Sequence, residues 1–192
     1  MLPAASHPPL LHRLVPVSHR GLRTALQVAF GVAFLALLAQ VRMEVGPVPI
    51  TGQTLGVLLL GAAAGARLGV ATTLSYLAVG AAGLPVFTGG GAGLATLTGT
   101  TAGYLVGFVV AAALVGALAE RGWTATAPRA FATMVLGNLV IYTLGVAWLA
   151  QLAPDLSTAI AWGVTPFLIG DALKVGLATA LLPLATRALR PR

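Results

Sequence analysis

Residues 68–119 read LGVATTLSYLAVGAAGLPVFTGGGAGLATLTGTTAGYLVGFVVAAALVGALA and contain no charged side chain. About 20 helical residues cross the hydrocarbon core of a bilayer. These 52 residues are therefore too many for one crossing and enough for two. The glycine-rich cluster at 89–93 is the expected break, because glycines at this density interrupt helices. The stretch predicts two membrane helices joined by a glycine-rich loop.

The composition of the whole chain agrees with a membrane location. Apolar residues make up 58% of the chain, charged residues 8%, and the mean hydropathy is +0.95. Soluble domains have about 25% charged residues, so we predict an all-α integral membrane protein. The net charge of +7 does not indicate nucleic-acid binding, because the basic residues lie between apolar runs without interleaved exposed aromatics.

The remaining apolar runs complete a bundle of six transmembrane helices. They cover about 24–41, 50–66, 130–152 and 160–186, in addition to the two crossings within 68–119. We expect a single membrane domain over residues 1–192, with a basic, proline-containing cytoplasmic tail at 1–21 and the six-helix bundle at 22–187. The first run is longer than the apolar core of a signal peptide, so it is interpreted as a retained helix.

Basic residues are distributed unevenly between the connecting segments. With six helices and a cytoplasmic N-terminus, only Arg42 falls outside. Cytoplasmic loops carry an excess of Lys and Arg, so both termini are predicted to be cytoplasmic. The arginines on that side are Arg13, Arg20, Arg23, Arg67, Arg121, Arg129, Arg187, Arg190 and Arg192.

A charged pair interrupts the last apolar run, in PFLIGDALKVG at 166–176. Asp171 and Lys174 share one helix face, so their head groups can meet each other or one ligand. With the helix starting near Ile160, the pair would lie about 15 Å below its outer end, at about 1.5 Å per residue. Two interpretations stay open: an ion pair that only fixes packing, and a substrate or ion site, which intramembrane charges usually mark.

Two irregular segments offer further polar groups. Pro47 and Pro49 in PVPITGQT forbid a regular helix, and irregular backbone at membrane depth is tolerated where protein buries it or a cavity needs it. Thr51 and Gln53 would then face a cavity, or the segment would be an ordinary external loop with a helix cap at Thr51 or Thr54. The glycine-rich segment lacks a complete phosphate-binding motif, so its glycines are expected to allow close backbone approach to a ligand or a re-entrant loop.

Three polar residues lie within the predicted helices. Tyr104 could reach the same cavity or serve packing. Asn138 and Tyr142 are one helical turn apart on one face, where an asparagine needs a partner, either another helix or a ligand.

No set of residues indicates an enzyme. The chain has no cysteine, and His7, His12 and His19 all fall in the N-terminal segment. Motifs for zinc hydrolases, serine hydrolases and ATP-binding loops are absent from the sequence. We therefore predict no catalytic residues, no metal site and no cofactor, and ATP-driven work would need another chain.

Five segments together resemble the BioY family. They are PVPITGQTLGVLLLGAAAGARLG at 47–69, SYLAVGAAGLPVFTGGGAG at 75–93, GTTAGYLVGF at 99–108, GN at 137–138 and PFLIGDALK at 166–174. Their order and spacing are similar to the family's across roughly residues 25–178. Proteins of that family are the biotin-binding S-components of energy-coupling factor (ECF) transporters.

The resemblance implies a six-helix protein of the prokaryotic cytoplasmic membrane that captures extracellular biotin with high affinity. It implies partners as well: a transmembrane coupling subunit, two cytoplasmic ATPase subunits and membrane lipid, but no nucleic acid. The family's GD-x-x-K motif implies that Asp171 and Lys174 bind biotin, which is then a transported ligand and not a cofactor.

Further site residues follow from the same resemblance. The family's Thr-Gly-Gln motif falls on Thr51 and Gln53, and its loop after PVF falls on 88–93, so Thr88, Gly89 and Gly90 are expected at the site. Tyr104 and Asn138, which lie in the matching segments, and Tyr142, one helical turn after Asn138, complete the predicted substrate-binding set. The small-residue ridge Ala25, Ala29 and Ala33 of the first helix is similar to the surface that contacts the coupling subunit.

Two other functions remain alternatives at this point. One is an ion-coupled secondary carrier or channel that uses Asp171 as its titrating site. The sequence argues against it, because it has a single intramembrane acid and no evident inverted repeat. The other is a structural or assembly subunit in which Asp171 and Lys174 satisfy only each other.

Overall fold

The structure is a computed structural model that describes residues 19–188. Most of this range is helical, as predicted, and most of the predicted tail lies outside the described residues. Two-residue strands at Arg42–Met43 and Ile50–Thr51 pair antiparallel, and three short 3₁₀ turns occupy Thr88–Gly90, Leu94–Thr98 and Thr165–Phe167. The elements are α1 (Arg20–Gln40), β1 (Arg42–Met43), β2 (Ile50–Thr51), α2 (Gln53–Ala81), α3 (Ala102–Glu120), α4 (Ala127–Leu149), α5 (Leu156–Gly163) and α6 (Leu168–Ala188).

The helix α2 reverses direction in its middle. Gly65 has φ 78° and ψ 173°, a conformation that glycine adopts without the strain a side chain would bring. Gln53 Nε2 lies 2.9 Å from the Tyr76 hydroxyl, whereas 23 residues of straight helix would separate them by about 34 Å. Residues 53–64 and 66–81 therefore form an antiparallel helical hairpin, which matches the separation of the second and third predicted helices.

Two neighbours hold this hairpin. Glu120 Oε1, at the end of α3, accepts a hydrogen bond from the Ala66 N–H at 2.9 Å and so satisfies a free donor at the start of the second half. Gly116 packs directly against the backbone of Gly65 and Ala66, where a Cβ atom would overlap them. The reversal is thus a packed feature of the fold.

The predicted membrane segments correspond to the observed helices with shifted ends. Five helices in residues 19–188 are long and apolar enough to cross a membrane, if α5 and α6 are taken together and α2 is counted once. The predicted break at 89–93 is confirmed, since the helix before it ends at Ala81 and the next begins at Ala102. The chain between them forms the two 3₁₀ turns of the glycine-rich loop.

The predicted start of the last helix is wrong. The chain breaks after Gly163 into the turn Thr165–Phe167, which contains Pro166, and α6 begins only at Leu168. Asp171 consequently lies in the first turn of α6, and the expected position ten residues below a helix end does not hold. The dipole of a helix stabilises a negative charge at this position.

Small residues allow the helices to approach closely, and apolar side chains cover the outside. A Cβ atom at Gly107 of α3 would lie 3.0 Å from the Ile141 Cα of α4, so the two backbones nearly touch. Large apolar side chains remain exposed around the bundle, for example Phe30 at 65% and Leu173 at 72%. A surface of this kind fits a lipid environment, and the protein is a multi-pass membrane protein.

Candidate functional site

The charged pair of α6 is fully hydrogen-bonded, with Asp171 buried and Lys174 partly buried. Lys174 Nζ lies 2.7 Å from Asp171 Oδ1, and the two side chains are 19% and 5% exposed. Lys174 also donates to the Thr51 carbonyl oxygen at 2.7 Å and to Thr54 Oγ1 at 3.0 Å. An ammonium group has three N–H donors, so each of them has a partner. We call Asp171 and Lys174 the buried ion pair.

The carboxylate of the buried ion pair joins three helices. Asp171 Oδ1 accepts from Thr54 of α2 at 3.3 Å, and Oδ2 accepts from the hydroxyl of Tyr142 in α4 at 2.6 Å. Charge-assisted hydrogen bonds of this length are the stronger ones in proteins. Because α2, α4 and α6 all contribute, the geometry of the carboxylate depends on how these helices pack.

A second polar cluster surrounds Gln53 at the start of α2. Its Nε2 donates to the Tyr76 hydroxyl, which in turn donates to the Val86 carbonyl oxygen at 2.9 Å. Its Oε1 accepts from Thr51 Oγ1 at 3.1 Å and from Thr88 Oγ1 at 2.8 Å. The side-chain amide is thereby oriented by the PVPITGQT segment and by the glycine-rich loop together.

Aromatic side chains pack beside these clusters. Phe167 stacks on Tyr104 and tilts against Tyr142, with ring centroids 6.4 Å apart in both pairs. The Tyr104 hydroxyl donates to the Gly163 carbonyl oxygen at 2.8 Å, so its polar end is satisfied. Aromatic walls with few polar groups are typical of small-molecule pockets.

These groups border one cavity of about 270 Å³. This volume is close to the lower end of the roughly 300–1,000 Å³ of ligand pockets, so it suits a small molecule. Five predicted site residues line it, namely Thr51, Gln53, Thr88, Tyr104 and Tyr142. Its apolar wall comes from Val48, Pro49, Phe87, Leu105, Phe108 and Phe167.

The other predicted site residues do not line the cavity. The buried ion pair lies behind Thr54 and Tyr142, which form the wall between it and the cavity. Asn138 is 7% exposed, and its Oδ1 has no hydrogen-bond partner among the residues that the structure describes. Gly89 and Gly90 lie beside the lining residue Thr88, both with positive φ.

Sequence reasoning missed two charged residues of the lining, Arg42 and Glu44. They belong to the hairpin of residues 42–51, formed by β1, β2 and the chain between them, which we call the β1 hairpin. Arg42 Nη1 lies 3.0 Å from Glu44 Oε1, so the two residues form an ion pair. A signal was present, since Arg42 is the single arginine on the outer side of the predicted topology.

The small-residue ridge of α1 lies away from the core. Ala25, Ala29 and Ala33 are all exposed, whereas Gly31 and Leu35 on the other side are buried against the bundle. The ridge is thus an available surface of the chain. Whether a coupling subunit binds there stays a prediction.

Comparisons with known proteins agree with this geometry. A sequence model of the BioY family matches residues 11–191. A biotin transporter BioY of Rhizobium etli is 39% identical over 82% of this chain and 88% of its own length. A probable biotin transporter BioY of Pyrococcus horikoshii is 36% identical over 80% of this chain and 90% of its own length.

The fold also has a counterpart among crystal structures. An S-component for biotin from an ECF-type ABC transporter superposes with a TM-score of 0.76 at 24% identity, covering 93% of this chain and 96% of that one. At this identity the likeness establishes the fold. Because the family match extends over nearly the whole chain and the two relatives exceed 30% identity, the protein belongs to the BioY family.

Proposed function

We propose that the protein captures biotin from outside the cell and serves as the substrate-specific S-component of an ECF-type transporter in a prokaryotic cytoplasmic membrane. The observation that carries this proposal is the buried ion pair, which is bonded to Thr54 and Tyr142 in the wall of a small aromatic cavity and lies behind that wall. The identity of the ligand is proposed from the family, because relatives of this protein are named as biotin transporters.

The chemistry of biotin suits this arrangement. Its ureido ring donates and accepts hydrogen bonds, its body is apolar, and its side chain ends in a carboxylate. The cavity offers Thr51, Gln53 and Thr88 as neutral hydrogen-bonding groups beside an apolar wall. Asp171 and Lys174 reach the ligand by exchanging hydrogen bonds with the wall residues Thr54 and Tyr142. Contact between the ligand and Asn138, which does not line the cavity, stays a prediction.

Equilibrium binding of labelled biotin to the detergent-purified chain tests the proposal. We expect tight one-to-one binding by the wild type and its loss in Lys174→Ala. Arg129→Ala is the matched control, because it removes an exposed positive charge at the start of α4. A folded wild-type chain that does not bind biotin would contradict the function, and unchanged affinity in Lys174→Ala would remove this residue from the site.

ATP-driven uptake would need another chain, because the sequence carries no ATP-binding motif. We propose a transmembrane coupling subunit that contacts Ala25, Ala29 and Ala33, together with two cytoplasmic ATPase subunits. Ala29→Trp should prevent assembly with the coupling subunit while leaving biotin binding intact. Ala71→Trp, at an exposed position of α2, is the control. Assembly that survives in Ala29→Trp, or that is lost equally in the control, would refute this surface.

We propose six membrane segments with both termini cytoplasmic, the two halves of α2 counting separately. The chain contains no cysteine, so single cysteines can be labelled without background. In intact cells a membrane-impermeant maleimide should label Val45→Cys and spare Arg67→Cys, which lies two residues beyond the Gly65 reversal. Labelling of Arg67→Cys from outside would contradict this topology.

A further inference from the structure

One end of the helical bundle gathers most of the arginines. Gly56 of α2 packs against Leu35 of α1, and Leu60, one turn nearer to Gly65, packs against Gly31. The helix α1 therefore starts at the end of the bundle where α2 reverses direction, and we call this the reversal end. The end of α3 lies there as well, because it bonds to the reversal, and α4 starts six residues later. The arginines of this end within residues 19–129 are Arg20, Arg23, Arg67, Arg121 and Arg129.

The reversal end has too few carboxylates to neutralise these arginines. The sequence contains four acidic residues, and Glu120 is the one at this end. Its side chain accepts a backbone hydrogen bond, and no ion pair within residues 19–188 involves any arginine of the reversal end. The remaining acids are engaged elsewhere, namely Glu44 with Arg42, Asp171 with Lys174, and Asp155 as the cap of α5. The reversal end thus carries positive charge that the side chains of the protein leave unbalanced.

Arg23 has an unsatisfied donor at this end. Its side chain is half-buried, and its Nε is buried without a hydrogen-bond partner among residues 19–188. Buried donors in proteins nearly always have partners, so an orphaned one indicates a group that binds there. Arg20 is exposed and lies three residues earlier, on the same face of α1. The planar fork of a guanidinium matches the oxygens of a phosphate, and two of them lie one helical turn apart here.

An apolar stripe continues from Arg23 along the outside of α1. Leu26, Phe30 and Leu37 follow it three, seven and fourteen residues later, a spacing that keeps them on one helix face. Their side chains are 46%, 65% and 70% exposed. From Arg23 to Leu37 the helix rises about 21 Å, which exceeds the roughly 15 Å of hydrocarbon in one leaflet. A cationic head followed by such a stripe has the outline of an amphiphile with a negative head group.

We propose that an anionic phospholipid binds along this face of α1, with its phosphate at Arg20 and Arg23 and an acyl chain over Leu26, Phe30 and Leu37. The lipid supplies the negative charge that the reversal end lacks, and its phosphate oxygens give the Arg23 guanidinium an acceptor. A carboxylate of a partner protein would satisfy the charge alone, whereas a phospholipid also accounts for the stripe. The site lies outside the cavity, and the inference does not depend on the identity of the ligand bound there.

Native mass spectrometry of the detergent-purified chain tests this site. The protein is titrated with phosphatidylglycerol and with phosphatidylcholine that carries the same acyl chains. Basic residues near a membrane surface each favour anionic lipid, so we expect the wild type to prefer phosphatidylglycerol by about 10-fold or more and Arg23→Gln to lower this preference about fivefold. Arg23→Lys should keep more of the preference than Arg23→Gln, because it keeps the charge. Arg129→Gln, which removes an exposed arginine of the same end, is the matched control.

The apolar stripe has a separate test. Phe30→Ala should weaken the binding of both lipids alike, because it removes acyl-chain contact and leaves the arginines unchanged. Leu139→Ala is its control, since Leu139 is a 54% exposed apolar residue on α4. Equal weakening in the control would overturn the assignment of the acyl chain to this stripe.

Thermal unfolding in detergent shows whether each variant is folded, and Arg20→Gln tests the same phosphate contact if Arg23→Gln is not. A loss of preference confined to the Arg20 and Arg23 variants supports the site. An equal loss in Arg129→Gln, or no preference in the wild type, would overturn it in favour of diffuse charge attraction. Displacement of the lipid by excess inorganic phosphate would overturn the lipid as occupant. Unchanged lipid binding in Arg23→Gln together with lost assembly with the coupling subunit would assign Arg23 to a protein partner instead.

Discussion

Replacing Lys174 with methionine keeps most of the side-chain length and removes the charge. The change leaves the 5% exposed Asp171 carboxylate without its cation and leaves the buried Thr51 carbonyl oxygen without its donor. Breaking a buried ion pair by removing one member costs about 3–5 kcal/mol. Thr54 and Tyr142 still donate to the carboxylate, so the lower end, about 3 kcal/mol, is expected.

This magnitude gives a measurable shift in thermal stability. For a chain of about this size 1 kcal/mol corresponds to about 2–4 °C in Tm, so Lys174→Met should unfold about 6–12 °C earlier in detergent. The double variant Asp171→Asn, Lys174→Met removes both charges and leaves a neutral amide beside Thr54 and Tyr142. It should recover most of the lost stability, because no buried charge remains unpaired.

Binding separates the ligand role of the pair from a packing role. Tryptophan fluorescence can follow unfolding, and labelled biotin can follow binding, in the same preparations. We expect the double variant to be stable and unable to bind biotin tightly. Wild-type affinity in the double variant would show that the buried ion pair serves packing alone. An unchanged Tm in Lys174→Met would refute the argument from buried charge.

Three further perturbations are predicted from the contacts. Tyr142→Phe removes the 2.6 Å bond that orients the Asp171 carboxylate, and hydrogen bonds to charged groups contribute about 1.5–3 kcal/mol. Because Asp171 is proposed to bind biotin, the affinity measured by calorimetry should fall by at least about 10-fold, and unchanged affinity would contradict this. Gly80→Ala places a Cβ atom inside the Phe87 ring and should destabilise the fold by about 1–3 kcal/mol in thermal unfolding. The control Gly176→Ala has open space around it and should be neutral or slightly stabilising. Equal effects of the two substitutions would refute the packing argument. Glu120→Ala removes the acceptor at the hairpin of α2 and should lower stability by about 1 kcal/mol, with biotin affinity retained in the folded fraction; lost affinity at full stability would contradict a purely structural role.

The sequence predicted the helices well where its signals are local. Charge-free runs of membrane length predicted the long apolar helices, and the glycine cluster at 89–93 correctly separated two of them. The separation near Gly65 was also correct, because Arg67 interrupts the apolar run there. The late start of α6 was missed, because residues 160–163 are as apolar as the helix that follows and only Pro166 marks the turn.

The polar residues of the candidate site were recognisable from the sequence only in part, because some of the signals are local and the contacts are not. Asp171 and Lys174 were recognisable as charges in an apolar run, and Gln53 as a polar group beside prolines. Their partners were not recognisable, because Tyr76 reaches Gln53 only after the reversal at Gly65, and Thr54 reaches Asp171 from a different helix.

By itself, then, the sequence determined that this is a helical membrane protein, because the length of its apolar runs matches the bilayer. It also determined which intramembrane residues must find polar partners, because the cost of exposing a side chain to lipid depends on its charge. The tertiary structure alone decided which partners they have and what borders the cavity. Arg42 and Glu44 come to the cavity through the β1 hairpin, and the buried ion pair lies behind its wall because α2, α4 and α6 converge there. Hydrogen bonds and ion pairs act over a few ångströms, so they depend on the meeting of distant segments, which residue spacing along one chain does not specify.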